Sequence, residues 1–179
     1  MGQVKEPSEA IPFVGLIYPD DLPVEDLLGC LEENFGMIIK KTMPIPFTHT
    51  KYYSVEMGEN LMRQWIAFED TVLPDELVEM KHWTNELEEK SLNEHGGRVV
   101  NIDPGIISMN NLVLASTKNY THRIYLGNGI YAELTLIYKD NRFQPLEWTY
   151  PDYREEAALR FFYEVRQWLK NKLRAIESD

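Results

Sequence analysis

The sequence predicts a single α+β domain built on a mainly antiparallel β-sheet, and three observations support this prediction. Short apolar segments typical of strands alternate with segments of helical periodicity in the first part of the chain. A glycine-containing hairpin and a long amphipathic helix follow them. The chain of 179 residues is about the length of one domain, with no internal repeat or linker-like stretch to divide it. We therefore expect one domain over residues 1–179, with the polar residues 1–10 flexible.

The first strand, helix and second strand are each marked by an apolar pattern. Residues 13–18, FVGLIY, form a short apolar run typical of a buried strand. Pro23 suits the first turn of a helix, and Gly36 suits the residue that ends it. Between them lies one apolar helical face, formed by Val24, Leu27, Leu28, Leu31 and Phe35. Residues 37–41 then predict a second strand, and residues 43–58 predict an irregular connection.

A strand, a helix and another strand complete the core. Residues 61–69 alternate in polarity, which predicts a strand with Ile66 and Phe68 on one face. Pro74 opens a helix that runs to about residue 92, and its acids are expected to face solvent: Asp75, Glu76, Glu79, Glu86, Glu88 and Glu89. Residues 98–103 predict the fourth strand. The resulting order, β-α-β-β-α-β, is the split β-α-β pattern of ferredoxin-like folds.

Two further elements are predicted to extend this core. Residues 121–138 predict a β-hairpin added to the sheet. A long C-terminal helix is expected over about residues 152–176, with Asp152 and Glu155 at capping-box spacing. Its buried face should contain Ala158, Phe161, Phe162, Val165, Trp168, Leu169, Leu173 and Ile176. We expect the helices to cover one face of the sheet and to leave the other face open.

The hairpin turn allows two registers. A two-residue turn, Asn-Gly, would pair Leu126 with Tyr131. A three-residue turn over 127–129, with Gly129 in the left-handed conformation, would pair Leu126 with Ile130. The three-residue turn is favoured because a slip of one residue would mix apolar and polar side chains on each face.

In the favoured register, Arg123 stands opposite Glu133 on the polar face of the hairpin. The opposite, buried face should then contain the aliphatic residues Ile124, Leu126, Ile130, Ala132, Leu134 and Leu136. Burial of such side chains is worth about 1.5–3 kcal/mol each, which exceeds the preference of one turn type over another.

The same alternation predicts polar residues on one face elsewhere in the sheet. Arg63 lies on the same face of its strand as Trp65, and Asn101 lies on the same face as Asp103. An antiparallel sheet can keep such a face open to solvent, and charges of both signs beside aromatic rings suit a small polar ligand. The candidate catalytic residues are His122, Asp103 and Glu133, and the candidate ligand-binding residues are Arg63, Asn101, Lys118, Arg123, Tyr125 and Tyr131.

Several of these features have structural alternatives. Arg123 and Glu133 could form a purely structural cross-strand pair, and residues 103–105, Asp-Pro-Gly, could form a simple turn. Residues 150–153 are expected to lead into the last helix. His122 adjoins two basic residues and could titrate near neutrality, whereas the other histidines are expected at the surface without metal-ligand spacing: His49, His82 and His95.

Composition excludes several classes of function. The net charge of −11 and pI of about 4.8 disfavour nucleic acids and anionic membranes as partners. The single cysteine, Cys30, falls in the first helical pattern and is expected to pack as a small hydrophobic residue; it allows no intramolecular disulfide. No signal peptide or membrane-length apolar run is present, so a cytoplasmic protein is expected.

Short motifs along nearly the whole chain resemble a prokaryotic family known as domain of unknown function 4416. These are FVGLIY (13–18), EMG (56–58), TNELE (84–88), NIDPG (101–105), STK (116–118), HRIYLG (122–127), GIYAELTL (129–136) and WTYPDY (148–153). The resemblance implies no activity, because the family has none established. Some members carry the label "GTP-binding", but this chain has no GxxxxGK[ST] loop.

Two functions are therefore open. The first is binding of a small polar or anionic molecule, such as a phosphorylated or carboxylated compound, either with or without catalysis. Asp103 or Glu133 could serve as a base or hold a divalent cation through oxygen ligands. The second is a protein-interaction module that uses the acidic second helix and the aromatic segment 52–57, with no chemistry. The sequence does not indicate the oligomeric state or the identity of a cofactor.

Overall fold

The computed structural model describes residues 2–176 and confirms an α+β fold with an antiparallel sheet and a C-terminal helix. The sheet has nine strands, and every ladder between them is antiparallel. In chain order the elements are β1 (Ile11–Pro19), α1 (Glu25–Phe35), β2 (Ile38–Lys41), β3 (Ile45–Pro46), α2 (Ser54–Met57), β4 (Leu61–Phe68), α3 (Leu77–Lys90), β5 (Asn101–Ile107), β6 (Asn111–Ser116), β7 (Arg123–Gly127), β8 (Ile130–Lys139), β9 (Arg142–Pro145) and α4 (Glu156–Ile176).

The spatial order of the strands is β2-β4-β1-β5-β6-β8-β7, with β3 paired to β4 and β9 paired to β8. Within it, β2-β4-β1-β5 carries the predicted split β-α-β arrangement, because α1 and α3 each connect strands that are not neighbours. The predicted hairpin is β7–β8, and it joins this core through β6, a strand that the sequence analysis did not identify.

Helices pack on both faces of the sheet, so the prediction of a single covered face was wrong. On the first face, α1 and α3 cover strand residues that include Val14, Leu16, Ile66, Phe68 and Ile102. On the second face, hereafter the α4 face, Phe161, Phe162 and Val165 of α4 meet Phe13 and Trp65. The strands carry polar residues at one end of the α4 face and large apolar residues at the other. The apolar end supplies the surface that buries α4.

The hairpin has the predicted register at Arg123, which lies opposite Glu133, but the turn differs. Asn128 and Gly129 both have positive φ, 49° and 80°, so they form a two-residue turn of the kind that asparagine and glycine favour. Gly127, not Leu126, pairs with Ile130, and the extra residue in β7 is a β-bulge. Because of the bulge, the hairpin has both the two-residue Asn-Gly turn and the pairing of Arg123 with Glu133, a combination that was not predicted.

The predicted burial of β7 was wrong. Ile124 is 71% exposed and Leu126 is also exposed, whereas Ile130 and Leu136 of β8 are buried as predicted. β7 is the last strand of the sheet path, so no further strand protects its outer edge.

Three further residues depart from the sequence-based expectation. Glu88 is buried and not solvated. Cys30 is exposed, because it lies about 60° around α1 from the nearest residue of the apolar stripe. Asp152 does not cap α4, which begins at Glu156; it lies in a single 3-10 turn over Asp152–Arg154 and pairs with Arg63. Ile176 has no described side chain, so its predicted burial lies outside the described residues.

Near the N-terminus, Ala10 is buried and forms an isolated bridge with Val72, so ordered structure begins inside the segment that was expected to be flexible. Among residues 2–176, no helix is both long and apolar enough to cross a membrane.

Candidate functional site

A cavity of about 740 Å³ opens on the α4 face at the polar ends of the strands. This volume lies within the range of small-molecule sites in proteins, roughly 300–1,000 Å³. Its charged lining consists of five basic residues, Arg63, Lys81, Arg98, Lys118 and Arg123, and four acidic residues, Glu88, Asp103, Glu133 and Asp152. Aromatic side chains form much of the remaining wall: Phe47, Tyr52, Tyr53, Tyr120, Tyr150 and Tyr153.

The cavity lies where the sheet divides between β5 and β6. These strands pair only from Gly105 to Ile107, although β6 continues to Ser116 and β5 begins at Asn101. Pro104 explains the end of the ladder. Alternation along β5 directs its nitrogen toward β6, and proline has no N–H to donate. Residues 103–105 therefore lie inside a strand and not in a turn.

Side chains of α3 replace the missing strand partner. Glu88 accepts a hydrogen bond of 2.5 Å from the Ile102 backbone N–H, and Lys81 donates one of 3.1 Å to the Ile102 carbonyl. Burial raises the pKa of Glu88, although nearby Lys81 opposes the shift. The backbone N–H and carbonyl of Ile102, which lack a partner strand, are thus hydrogen-bonded by two side chains of α3. These two side chains also place α3 in the wall of the cavity.

A buried ion pair closes one end of the cavity. Arg63 of β4 donates from Nε to one oxygen of Asp152 at 2.7 Å, and its Nη2 lies 2.7 Å from the same oxygen. Its guanidinium also lies within 6 Å of the ring centres of Phe47, Trp65 and Tyr153. The remaining nitrogen, Nη1, is buried and has no hydrogen-bond partner in the described part of the chain. Arg63 therefore has a fixed orientation and one unused donor.

Gly15 of β1 makes room for this arrangement. A Cβ atom at this position would lie 2.9 Å from Arg63 Nη1 and 2.8 Å from the Tyr153 hydroxyl oxygen. Burial raises the pKa of Tyr153 far above its ordinary value, so the phenol stays protonated.

A second network joins β5 to the segment that precedes β4. Arg98 donates from Nε and Nη2 to the two carboxylate oxygens of Glu56, at 2.8 Å each, and from Nη1 to Glu88 and Asn101. The hydrogen bond from Arg98 lowers the pKa of Glu56 to about 2. Asn101 in turn donates to Asp103 at 2.7 Å. This chain of contacts anchors the one-turn helix α2 beside the cavity.

Glu133 of β8 is the centre of the third network. Its Oε2 accepts hydrogen bonds from Arg123 Nε at 2.7 Å and faces His122 Nε2 at 3.1 Å. Its Oε1 has no hydrogen-bond partner within residues 2–176, although Glu133 is only 1% exposed. Arg123 uses its other nitrogens on the Ser116 hydroxyl, the Lys118 carbonyl and the Tyr150 hydroxyl.

The mouth of the cavity is formed by the segment after β6 and by tyrosines. Lys118 donates to the Tyr52 hydroxyl at 3.1 Å and lies 4.9 Å from the centre of that ring. Among the described residues, no carboxylate oxygen lies within ion-pair distance of Lys118. Burial and the charge of Glu133 raise the pKa of Tyr150 to about 12, so its hydroxyl remains a donor at neutral pH.

Six of the nine sequence-predicted site residues lie together in the cavity lining: Arg63, Asn101, Asp103, Lys118, Arg123 and Glu133. The other three do not line it. The His122 ring stacks on Trp148, with centroids 5.0 Å apart, and contacts the cavity lining through Glu133 and Tyr120. Tyr125 and Tyr131 contact each other on the hairpin.

Several cavity residues were missed by sequence reasoning. Lys81 and Glu88 follow Leu77 and Thr84 on one stripe of α3, at spacings of four, three and four residues. Charged residues on the buried stripe of a helix were the available signal, but Glu88 was attributed to a solvated face and Lys81 was not considered. Tyr150 and Asp152 were assigned to the approach to α4, and nothing local in the sequence indicates that Asp152 pairs with Arg63.

A divalent-cation site at Asp103 and Glu133 gains no support from their surroundings. Within residues 2–176, no group of three or more His, Cys, Asp or Glu side chains is placed to hold a metal ion. β6 separates the strands of Asp103 and Glu133, and Lys81 lies 3.9 Å from the Asp103 carboxylate.

Comparison with known proteins gives one match. A family model described as a domain of unknown function (DUF4416) matches residues 8–169 of the 179. No curated protein and no solved structure matches the chain.

Proposed function

The chain belongs to the family described as a domain of unknown function (DUF4416), and because that description assigns no activity, we propose from the site itself that the protein binds a small anionic molecule in the cavity. The proposed ligand class is a phosphorylated or carboxylated compound. The observation that carries the proposal is a set of basic side chains in the cavity lining that keep a charge or a donor atom unused by the described residues, in a protein whose net charge is −11.

Lys118 and Arg63 are the two main members of this set. The Lys118 ammonium donates to the Tyr52 hydroxyl and lies over that ring, and it forms no ion pair with the described residues, so its positive charge is available to an incoming anion. Arg63 holds an unused Nη1 at the other end. Cationic groups within a low-dielectric cleft attract anions more strongly than the same groups on an open surface.

The aromatic wall supports a small molecule in preference to a protein partner. Tyr52 and Tyr53 belong to the segment that the alternative function would use as a docking surface, yet both line the cavity. Burial and the charge of Asp103 raise the pKa of Tyr53 well above its ordinary value, so this phenol is neutral and offers a hydrogen bond. The segment therefore serves the cavity.

Proton transfer, if the bound molecule reacts, would fall to Asp103 before Glu133. The Asp103 side chain is 29% exposed within the cavity lining, whereas the Glu133 side chain is almost fully buried and is held by Arg123 and His122. We accordingly propose that His122 positions Glu133 and does not itself reach the ligand.

The test is a thermal-shift and calorimetric screen of small phosphate monoesters and carboxylates, with Lys118→Ala and the control Lys139→Ala. Both lysines are exposed, but Lys139 does not line the cavity. Loss of one charge-assisted contact should weaken anion binding about 10- to 100-fold in Lys118→Ala, and binding to Lys139→Ala should equal that of the wild type. If no anion binds, or if the two variants bind equally, the proposal is wrong.

A further inference from the structure

We infer that the ligand carries, besides its anionic group, a hydroxyl or amino group that donates a hydrogen bond to Glu133 Oε1. This inference rests on the proposed function and deepens it, because it distinguishes among anions by the group at their other end. It concerns the part of the cavity lined by Glu133.

The observation is the unequal use of the two Glu133 oxygens. Arg123 and His122 both contact Oε2, while Oε1 has no partner in a residue that is 1% exposed. The carboxylate is therefore held in one orientation through a single oxygen. A buried, unpaired carboxylate oxygen is unusual, because an unmet charged acceptor costs folding free energy.

The surroundings of Glu133 define what would satisfy it. Arg123, the nearest cation, has every guanidinium nitrogen engaged already, and the Tyr150 hydroxyl accepts from its Nη2. The remaining direction is the cavity, which Glu133 lines. A ligand hydroxyl or ammonium group would form a charge-assisted hydrogen bond there. A second carboxylate or phosphate in this place would meet a like charge.

The other end of the ligand would lie among the donors. Lys118 and Glu133 both contact Arg123, because the Lys118 carbonyl accepts a hydrogen bond from Arg123 Nη1 and Glu133 Oε2 accepts one from Arg123 Nε. An anionic group at Lys118 and a donor group at Glu133 therefore suit one short molecule of mixed character. Recognition of both ends would exclude diacids and simple alkyl anions.

The experiment uses four phosphate monoesters with the same two-carbon skeleton. They are phosphoethanolamine, hydroxyethyl phosphate, ethyl phosphate and phosphoglycolate, which end in an ammonium, a hydroxyl, a methyl and a carboxylate group. In calorimetric titration of the intact protein we expect the ammonium and hydroxyl compounds to bind at least about tenfold more tightly than the methyl compound. Phosphoglycolate should bind most weakly.

Glu133→Gln supplies the matched variant. The amide oxygen can keep the hydrogen bonds from Arg123 and His122, and the amide N–H₂ then replaces the unpaired acceptor with a donor. The variant should lose the preference for phosphoethanolamine and gain affinity for phosphoglycolate. The wild-type ranking tests the inference even if this variant folds poorly.

The outcomes separate the two proposals. Equal binding of all four compounds, weakened by Lys118→Ala, would leave the proposed anion binding intact and overturn the role of Glu133. An unchanged ranking in folded Glu133→Gln would overturn that role as well. Binding of none of the four, together with no other anion in the screen, would overturn the proposed function itself.

Discussion

Breaking the buried ion pair between Arg63 and Asp152 should lower the free energy of unfolding more than breaking any other single contact of the cavity. The Arg63 and Asp152 side chains are 5% and 4% exposed, and two nitrogens of Arg63 lie 2.7 Å from one oxygen of Asp152. Arg63→Met keeps an apolar side chain of similar length but leaves the carboxylate uncompensated. Removing one partner of a buried pair costs about 3–5 kcal/mol, because the remaining charge is desolvated and unpaired.

The expected loss can be converted into a change in melting temperature. For a domain of this size, 1 kcal/mol corresponds to about 2–4 °C, so Arg63→Met should lower the melting temperature by about 6–20 °C. The matched control is Arg160→Met, which removes an arginine from an exposed helical pair with Glu156 and should cost about 0.5 kcal/mol or less. Urea unfolding and calorimetry measure both.

The second step of this prediction isolates the cause. If the uncompensated charge of Asp152 carries the cost, Arg63→Met combined with Asp152→Asn should be more stable than Arg63→Met alone. The reasoning would be refuted if Arg63→Met lost no more stability than Arg160→Met. It would also be refuted if the double variant lost as much stability as the two single variants, Arg63→Met and Asp152→Asn, lose together.

Two further predictions concern the neighbouring networks. The salt bridge with Arg98 holds the pKa of Glu56 at about 2, below its unfolded value, so the stabilisation from this pair should be complete above about pH 5 and disappear as pH falls toward 2. Urea unfolding across this range should give free energies of unfolding for wild type and Glu56→Gln that become equal at the acid end. A difference between them that stays constant with pH would contradict the prediction. Gly15→Ala should destabilise the protein by about 1–3 kcal/mol in thermal unfolding, because its Cβ would lie under 3.0 Å from Arg63 Nη1 and the Tyr153 hydroxyl oxygen. The control, Gly29→Ala on the exposed side of α1, should stabilise it by about 0.5–1 kcal/mol. Equal effects of the two substitutions would show that packing does not require glycine at position 15.

The order of the core elements could be predicted because each is encoded locally. The apolar run at residues 13–18, the stripe that ends at Phe35 and the proline at position 74 each mark an element without reference to the rest of the chain. The register of Arg123 against Glu133 was predicted for a similar reason, since apolar and polar residues alternate in the sequence of β8. The turn itself was not, because a β-bulge adds a residue that no periodicity reveals.

The depth of the site could not be predicted, because it depends on contacts between distant residues. Pro104 looked like part of a turn, yet in a strand it ends the ladder with β6 and so opens the cavity. Glu88 looked like one acid among many on α3, yet it bonds the backbone that Pro104 leaves unpaired. The packing of α4 on the α4 face could not be predicted either, because the sequence does not show that the last helix packs on the side of the sheet that carries Trp65.

The cavity keeps polar atoms unpaired where pairing would have favoured stability. Arg63 and Glu133 each use one side of the charged group to fix its orientation and leave one buried atom without a partner. Each unpaired buried group costs about 1–3 kcal/mol or more, so a fold selected for stability alone would have replaced or paired both. Sites that bind polar molecules carry this cost because the same atoms form their hydrogen bonds with the ligand. Arg63 Nη1 is a donor and Glu133 Oε1 is an acceptor, and this difference argues for a ligand that is itself of mixed character.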